Sequence, residues 1–168
     1  YVSEPFPLVV ERGTTAFSTV GPLFPEWTDS SQPLIRCDAQ GGIYLAWLEA
    51  LQEIDQAFFS FSADEGRTWS QVLNISRTNA PVYLPDLAVD DSGHFYMTWL
   101  SYQGSRAEVY FCRSLDHGAT WHLPVRLGEE SYFGVAPVLG VDDRGAVFVA
   151  WPRSSDAGSA VELVSSQD

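Results

Sequence analysis

The chain repeats itself every 52 residues, and this period constrains its fold more than any other feature. "SADEGRTW" at 62–69 returns as "SLDHGATW" at 114–121, and "SQD" stands at 166–168, so Asp64, Asp116 and Asp168 are separated by two equal steps. The upstream half keeps the same register. "PLIRCDAQGGIYLAW" (33–47) aligns with "PDLAVDDSGHFYMTW" (85–99) and with "PVLGVDDRGAVFVAW" (137–151), without an insertion.

Each unit reads as four short strands. In the second unit they are expected near 86–90, 95–101, 107–114 and 121–127. "HFYMTWL" and "EVYFCRS" are rich in β-branched and aromatic residues, and the breaks fall on "DDSG", "YQGSR" and "LDHGAT". No stretch has the period of a long amphipathic helix. Four-stranded units of about 50 residues, each with a glycine-bearing hairpin, predict an all-β fold, a β-propeller of antiparallel blades.

The register also runs backwards. Residues 9–20 fall in the phase of 61–72, with Arg12 in the place of the hairpin Asp, so they read as a degenerate copy. The expected organisation is the end of a degenerate blade plus a linker at 1–32, blades at 33–84 and 85–136, and three strands of a further blade at 137–168. Propellers have about four to eight blades, so this is the chain of a partial propeller. It is expected to continue elsewhere in the same chain or to close against another subunit. A start at Tyr1 without an initiator Met suggests a processed or trimmed product.

A formal net charge of −13, with all nine basic residues Arg, opposes binding to nucleic acid, whose phosphates need basic clusters. No apolar run is long enough to predict membrane insertion. Cys37 and Cys112 match no metal spacing. They replace valines and a serine of the other units, so both are expected as small buried side chains, with a disulfide as the alternative. "VDD" at 89–91 and 141–143 lacks the oxygens of a calcium loop and reads as a turn. No metal and no cofactor is expected. His94, His117 and His122 form no triad, and "NIS" at 74–76 matches a glycosylation acceptor.

The pattern S-x-D-x-G-x-T-W resembles the Asp-box, or BNR repeat, of sialidase-like β-propellers. Its residues here are Ser62, Asp64, Gly66, Thr68 and Trp69; Ser114, Asp116, Gly118, Thr120 and Trp121; and a third start at Ser166 and Asp168. The resemblance implies a hairpin between the third and fourth strands, a parent that is best taken as six-bladed, and an extracytoplasmic location. The chemistry of the motif is that of a turn. A short carboxylate accepts bonds from its own backbone, glycine supplies positive φ, and the indole ring buries apolar area.

The same resemblance implies an arginine triad for an anionic sugar in the catalytic members, the first Arg lying two positions before the blade-opening proline. Ser31, Tyr83 and Val135 stand there, so no catalytic residue is assigned. The expected function is non-catalytic binding of a glycan or protein, or assembly with other blades of the same propeller. A fragment of a sialidase-like hydrolase and a self-associating structural subunit are the alternatives. Ligand contacts are expected on the face opposite the hairpins, in loops 48–56, 101–106 and 152–159 and links 77–84 and 128–136. The residues are Arg77, Tyr83, Tyr102, Arg106, Tyr132 and Arg153, whose aromatic faces and guanidinium forks suit glycans and carboxylates.

Overall fold

A computed structural model of the chain describes residues 23–24, 29–38, 40–103, 106–130, 135–155 and 158–166. The degenerate copy at 9–20, residues 21–22 and 25–28 of the following linker, Tyr132 and Asp168 lie outside the described residues.

The described residues form strands and turns. The first sheet holds β1 (Ser30–Cys37), β2 (Ile43–Leu51), β3 (Ile54–Ser62) and β4 (Leu73–Asn74). The second holds β5 (Val82–Val89), β6 (Phe95–Gln103), β7 (Arg106–Ser114) and β8 (Val125–Glu130), and the third β9 (Val138–Val141), β10 (Val147–Ser155) and β11 (Gly158–Ser166). Neighbours in sequence are neighbours in each sheet, and every pairing is antiparallel. β1 packs beside β5 and β5 beside β9, which makes the first strand of each sheet the inner one. This is a partial β-propeller: two four-stranded blades and three strands of another.

Period-two alternation explains why β6 can be buried along both faces. Phe95, Met97 and Trp99 enter one core with Tyr44, Leu48, Phe59 and Ile75 of the first blade. Tyr96 and Leu100 point the other way and join Val147, Val149 and Trp151 of the third. Each blade is thus glued to the next by a separate apolar layer.

The prolines of the repeat shape the inner strands. Register shifts lie between Ser31 and Leu34 and between Tyr83 and Asp86, around Pro33 and Pro85, which have no N–H to give to a ladder. Gln32 and Leu84 take a left-handed φ of 49° at these bulges, and the Gln32 side-chain oxygen accepts the Leu84 N–H at 3.0 Å. Strand β5 therefore starts at Val82, ahead of the predicted 86. Strand β8 starts at Val125 rather than 121, the same phase of the repeat at which β4 starts with Leu73.

Cys37 corrects the expectation of two buried thiols. It is exposed, as is its neighbour Ile35, because this face of β1 points away from the second blade. Cys112 is buried between blades, where loss of water pushes its thiol pKa up, and both cysteines are free.

The outer face of the third blade is bare. Tyr44, Ala57 and Phe59 of the first blade and Tyr96, Val109 and Phe111 of the second lie beneath the blade that follows. Their counterparts in the third are Phe148, Val161 and Leu163, with Val161 76% and Leu163 63% exposed.

Candidate functional site

The two complete hairpins use their side chains on themselves. In the first, Ser62 Oγ donates to Asp64 Oδ1 at 2.8 Å and accepts the Gly66 N–H at 2.8 Å. The Thr68 N–H and hydroxyl donate to the two Asp64 oxygens at 2.8 and 2.7 Å. Ser114, Asp116, Gly118 and Thr120 repeat the set. Bonds from Thr68, then Ser62, hold the Asp64 carboxyl at about 2, and Thr120 with Ser114 does the same for Asp116. Both carboxylates are therefore occupied as turn anchors.

Gly66 and Gly118 take φ of 84° and 82°. Trp121 packs across the blade boundary. Its ring meets Phe59 edge-on at 5.1 Å, so it seals the boundary between the first two blades. Trp69 packs on Phe24 instead. Ser166 ends β11 opposite Val147, and Asp168 lies beyond the described residues.

The turns between the first and second strands of each sheet are equally self-contained. Asp38, Asp90 and Asp142 each accept two backbone N–H bonds of their own β-turn through Oδ1. Asp38 and Asp90 also take the hydroxyls of Tyr44 and Tyr96. A cavity of about 510 Å³ beside Asp90, His94 and Arg144 lies on this turn side of the blades.

On the opposite face, the link from β4 to β5 is fixed by polar side chains. Asn74 Oδ1 accepts the Arg77 N–H at 3.0 Å and the Ser76 hydroxyl at 3.2 Å. Gln56, buried on β3, accepts the Ser76 hydroxyl at 3.0 Å and the Thr78 N–H at 3.4 Å. The turn puts Arg77 at a left-handed φ of 46° with its side chain exposed, and Arg77 Nε donates to the Asn74 carbonyl at 3.3 Å.

Arg77 lies on a ridge between two clefts. One, of about 450 Å³, is lined by Leu51, Gln52, Ile54, Gln56, Asn74 and residues 77–79. The other, of about 420 Å³, runs along the blade boundary between residues 76–79 and the wall of Trp99, Ser101 and Tyr110, and ends at Leu123 and Pro124. Trp99 and Tyr110 are stacked at 6.0 Å, and Tyr110 donates its hydroxyl to Glu108, which also pairs with Arg126 at 2.9 Å.

The predicted contact residues do not converge. Tyr83 and Tyr102 meet edge-on at 5.0 Å, but Tyr83 packs into the layer facing the third blade, away from Arg77. Arg153 is exposed and pairs with Glu162 at 2.6 Å. Arg106 is described only by its backbone pairing with Gln103, and Tyr132 lies outside the described residues. The sequence reading missed Trp99, Ser101 and Tyr110 as cleft residues. The signal for Ser101 was its departure from the repeat, which has Glu49 and Arg153 at the same phase.

No protein-family model and no curated protein matches the chain. Among solved structures, it is similar to the endo-arabinase from Bacteroides thetaiotaomicron, with a TM-score of 0.54 and 18% identity. The match covers 80% of this chain and 55% of that one, so the chain spans about half the length of that enzyme. The neighbour is a glycoside hydrolase of propeller fold, and the likeness establishes the fold of this chain.

Proposed function

We propose that the chain is part of an extracytoplasmic, non-catalytic β-propeller of the Asp-box type that binds a glycan on the face opposite its hairpins. The observation that carries this reading is the Arg77 ridge. A cation on a braced, left-handed turn stands between two clefts, one with an aromatic wall, and such a constellation suits a polar ligand with apolar faces. The hairpin carboxylates are spent on their own turns, which leaves them unsuited to acid–base work. The positions of the first triad arginine carry Ser31, Tyr83 and Val135, which favours binding over sialoside cleavage. The glycoside hydrolase neighbour supports a glycan-related role and is the reason a hydrolase fragment stays the alternative. Among the described residues no helix is long and apolar enough to cross a membrane.

A glycan array probed with the intact chain tests the proposal. Binding that weakens in Arg77→Ala, together with no turnover of a fluorogenic sialoside, is the expected outcome. Sialoside turnover would move the chain to the hydrolase class.

A second reading, assembly through blades of another subunit, is favoured by the bare face of Phe148, Val161 and Leu163. Solution mass tests it directly.

A further inference from the structure

The blades differ at one phase of the repeat, and the difference opens a cleft. Glu49 and Ser101 occupy the same place on β2 and β6, 52 residues apart. In the first blade Glu49 is 4% exposed; its carboxylate accepts the Asp29 N–H at 3.0 Å and the hydroxyl of Ser30. In the second blade Asp29 and Ser30 are replaced by Pro81 and Val82, which offer neither a backbone N–H at the first position nor a hydroxyl at the second.

With the carboxylate and its donors gone together, Ser101 lines the cleft of about 420 Å³. Ser101 is 1% exposed, and its Oγ has no hydrogen-bond partner among the described residues. A buried hydroxyl left without a partner is rare and points to a group that completes it. Across the cleft Arg77 has bonds from its backbone N–H and Nε only, and no carboxylate pairs with it among the described residues. Thr78 and Asn79 add polar groups, and the half-buried Tyr110 with the exposed Leu123 adds an apolar wall.

We infer that this cleft binds a small hydroxylated carboxylate, a uronate residue of a glycan, whose carboxylate takes the place that Glu49 fills in the first blade. Arg77 presents an unused guanidinium edge, which matches the two oxygens of a carboxylate, and Ser101 donates one further bond. One unpaired cation fits one negative charge. The hydroxyls of the ring meet Thr78 and Asn79, and its apolar face meets the half-buried Tyr110 and the exposed Leu123. The cleft volume lies in the range of small-molecule sites, about 300–1,000 Å³.

The inference rests on the glycan-binding reading, and the test separates the two. Binding of free D-galacturonate and of D-galactose to the intact chain is measured by calorimetry and by tryptophan fluorescence. Galacturonate is expected to bind at least about tenfold more tightly than galactose, with a loss of about tenfold in Arg77→Ala. Ser101→Glu, which gives the second blade the carboxylate of the first, is expected to abolish galacturonate binding. Should that variant fold poorly, Ser101→Ala, expected to lose a few-fold, and Arg77→Ala at an exposed site decide the matter. Galacturonate binding that is absent, equal to galactose, or indifferent to both Arg77→Ala and Ser101→Ala overturns the inference. If array glycans still bind in that case, the broader reading survives at another site; if no glycan binds either, both fail.

Discussion

Arg36 on β1 reaches across the blade boundary to Asp86 on β5, Nη2 to Oδ1 at 3.2 Å, and the other Asp86 oxygen accepts the Leu139 N–H of β9 at 2.9 Å. One carboxylate thus ties together the inner strands of all three blades. Its counterparts in the repeat are Leu34 and Val138, so the tie belongs to the middle blade alone.

Asp86 Oδ1 also accepts the Leu87 N–H at 2.9 Å, so its partners are one partly exposed cation and two backbone amides, and this gives a first prediction. Arg36 is partly exposed, and its removal should cost less than about 1 kcal/mol. Asp86→Ala also strands the Leu139 N–H and should cost about 1–3 kcal/mol. Urea unfolding of the two variants checks the order. Equal losses would mean that the backbone bonds to Asp86 contribute nothing.

The hairpins predict an acid limb of stability. Asp64 and Asp116 ordinarily titrate near 3.8 and are held at about 2 when folded, chiefly by the Thr68 and Thr120 hydroxyls. The unfolded chain then binds more protons than the folded one across that window, so stability falls with falling pH. The contribution is complete above the unfolded value and is lost as the pH drops toward about 2. Melting temperature followed from about pH 5 to pH 2 should decline less steeply in Asp64→Asn and Asp116→Asn than in the parent. Identical slopes would contradict the assignment.

Two glycines with the same backbone angle should respond differently to alanine. Gly118 and Gly145 both have φ of 82°, but a Cβ on Gly118 would lie 2.4 Å from the Phe59 ring, whereas a Cβ on Gly145 meets nothing within 4 Å. Gly145→Ala should cost the backbone strain alone, about 1–3 kcal/mol. Gly118→Ala adds overpacking of about 1–3 kcal/mol more at the blade boundary. Denaturation midpoints that rank them the other way would show that Phe59 yields freely.

The bare third blade carries a prediction about association. The exposed Val161 and Leu163 continue a face that is covered in both earlier blades. Solution mass should rise with protein concentration, and Val161→Glu with Leu163→Glu should return it to the monomer without loss of melting temperature. A concentration-independent monomer would remove the assembly reading.

Much of the architecture was legible because a repeat with no insertion fixes each strand relative to its counterparts. The self-bonded hairpins were legible from Asp64, Gly66 and Thr68, because their partners lie within four residues. What depends on neighbouring blades was not. Cys37 resembles its counterparts Val89 and Val141, which pack against the blade before them, yet it is exposed on the face of β1 that points away from the second blade. Trp121 matches Trp69 in sequence, but its ring spans a boundary that only the packed sheets define. Arg77 could be placed on the face opposite the hairpins from its phase in the repeat, whereas its separation from Tyr83 needed the packing of the two apolar layers. The Asp86 tie and the Ser101 cleft both sit where one blade departs from the register, so breaks in a repeat were the signal available for sites.

In the proposed division of labour the hairpins hold the fold and the opposite face takes the ligand. Backbone amide shifts of the labelled chain, recorded by nuclear magnetic resonance during titration with the tightest array glycan, test it most directly. Shifts are expected to gather at residues 76–79 and 99–102, with the amides of Gly66, Thr68, Gly118 and Thr120 unmoved. Shifts centred on those four hairpin amides would contradict that division.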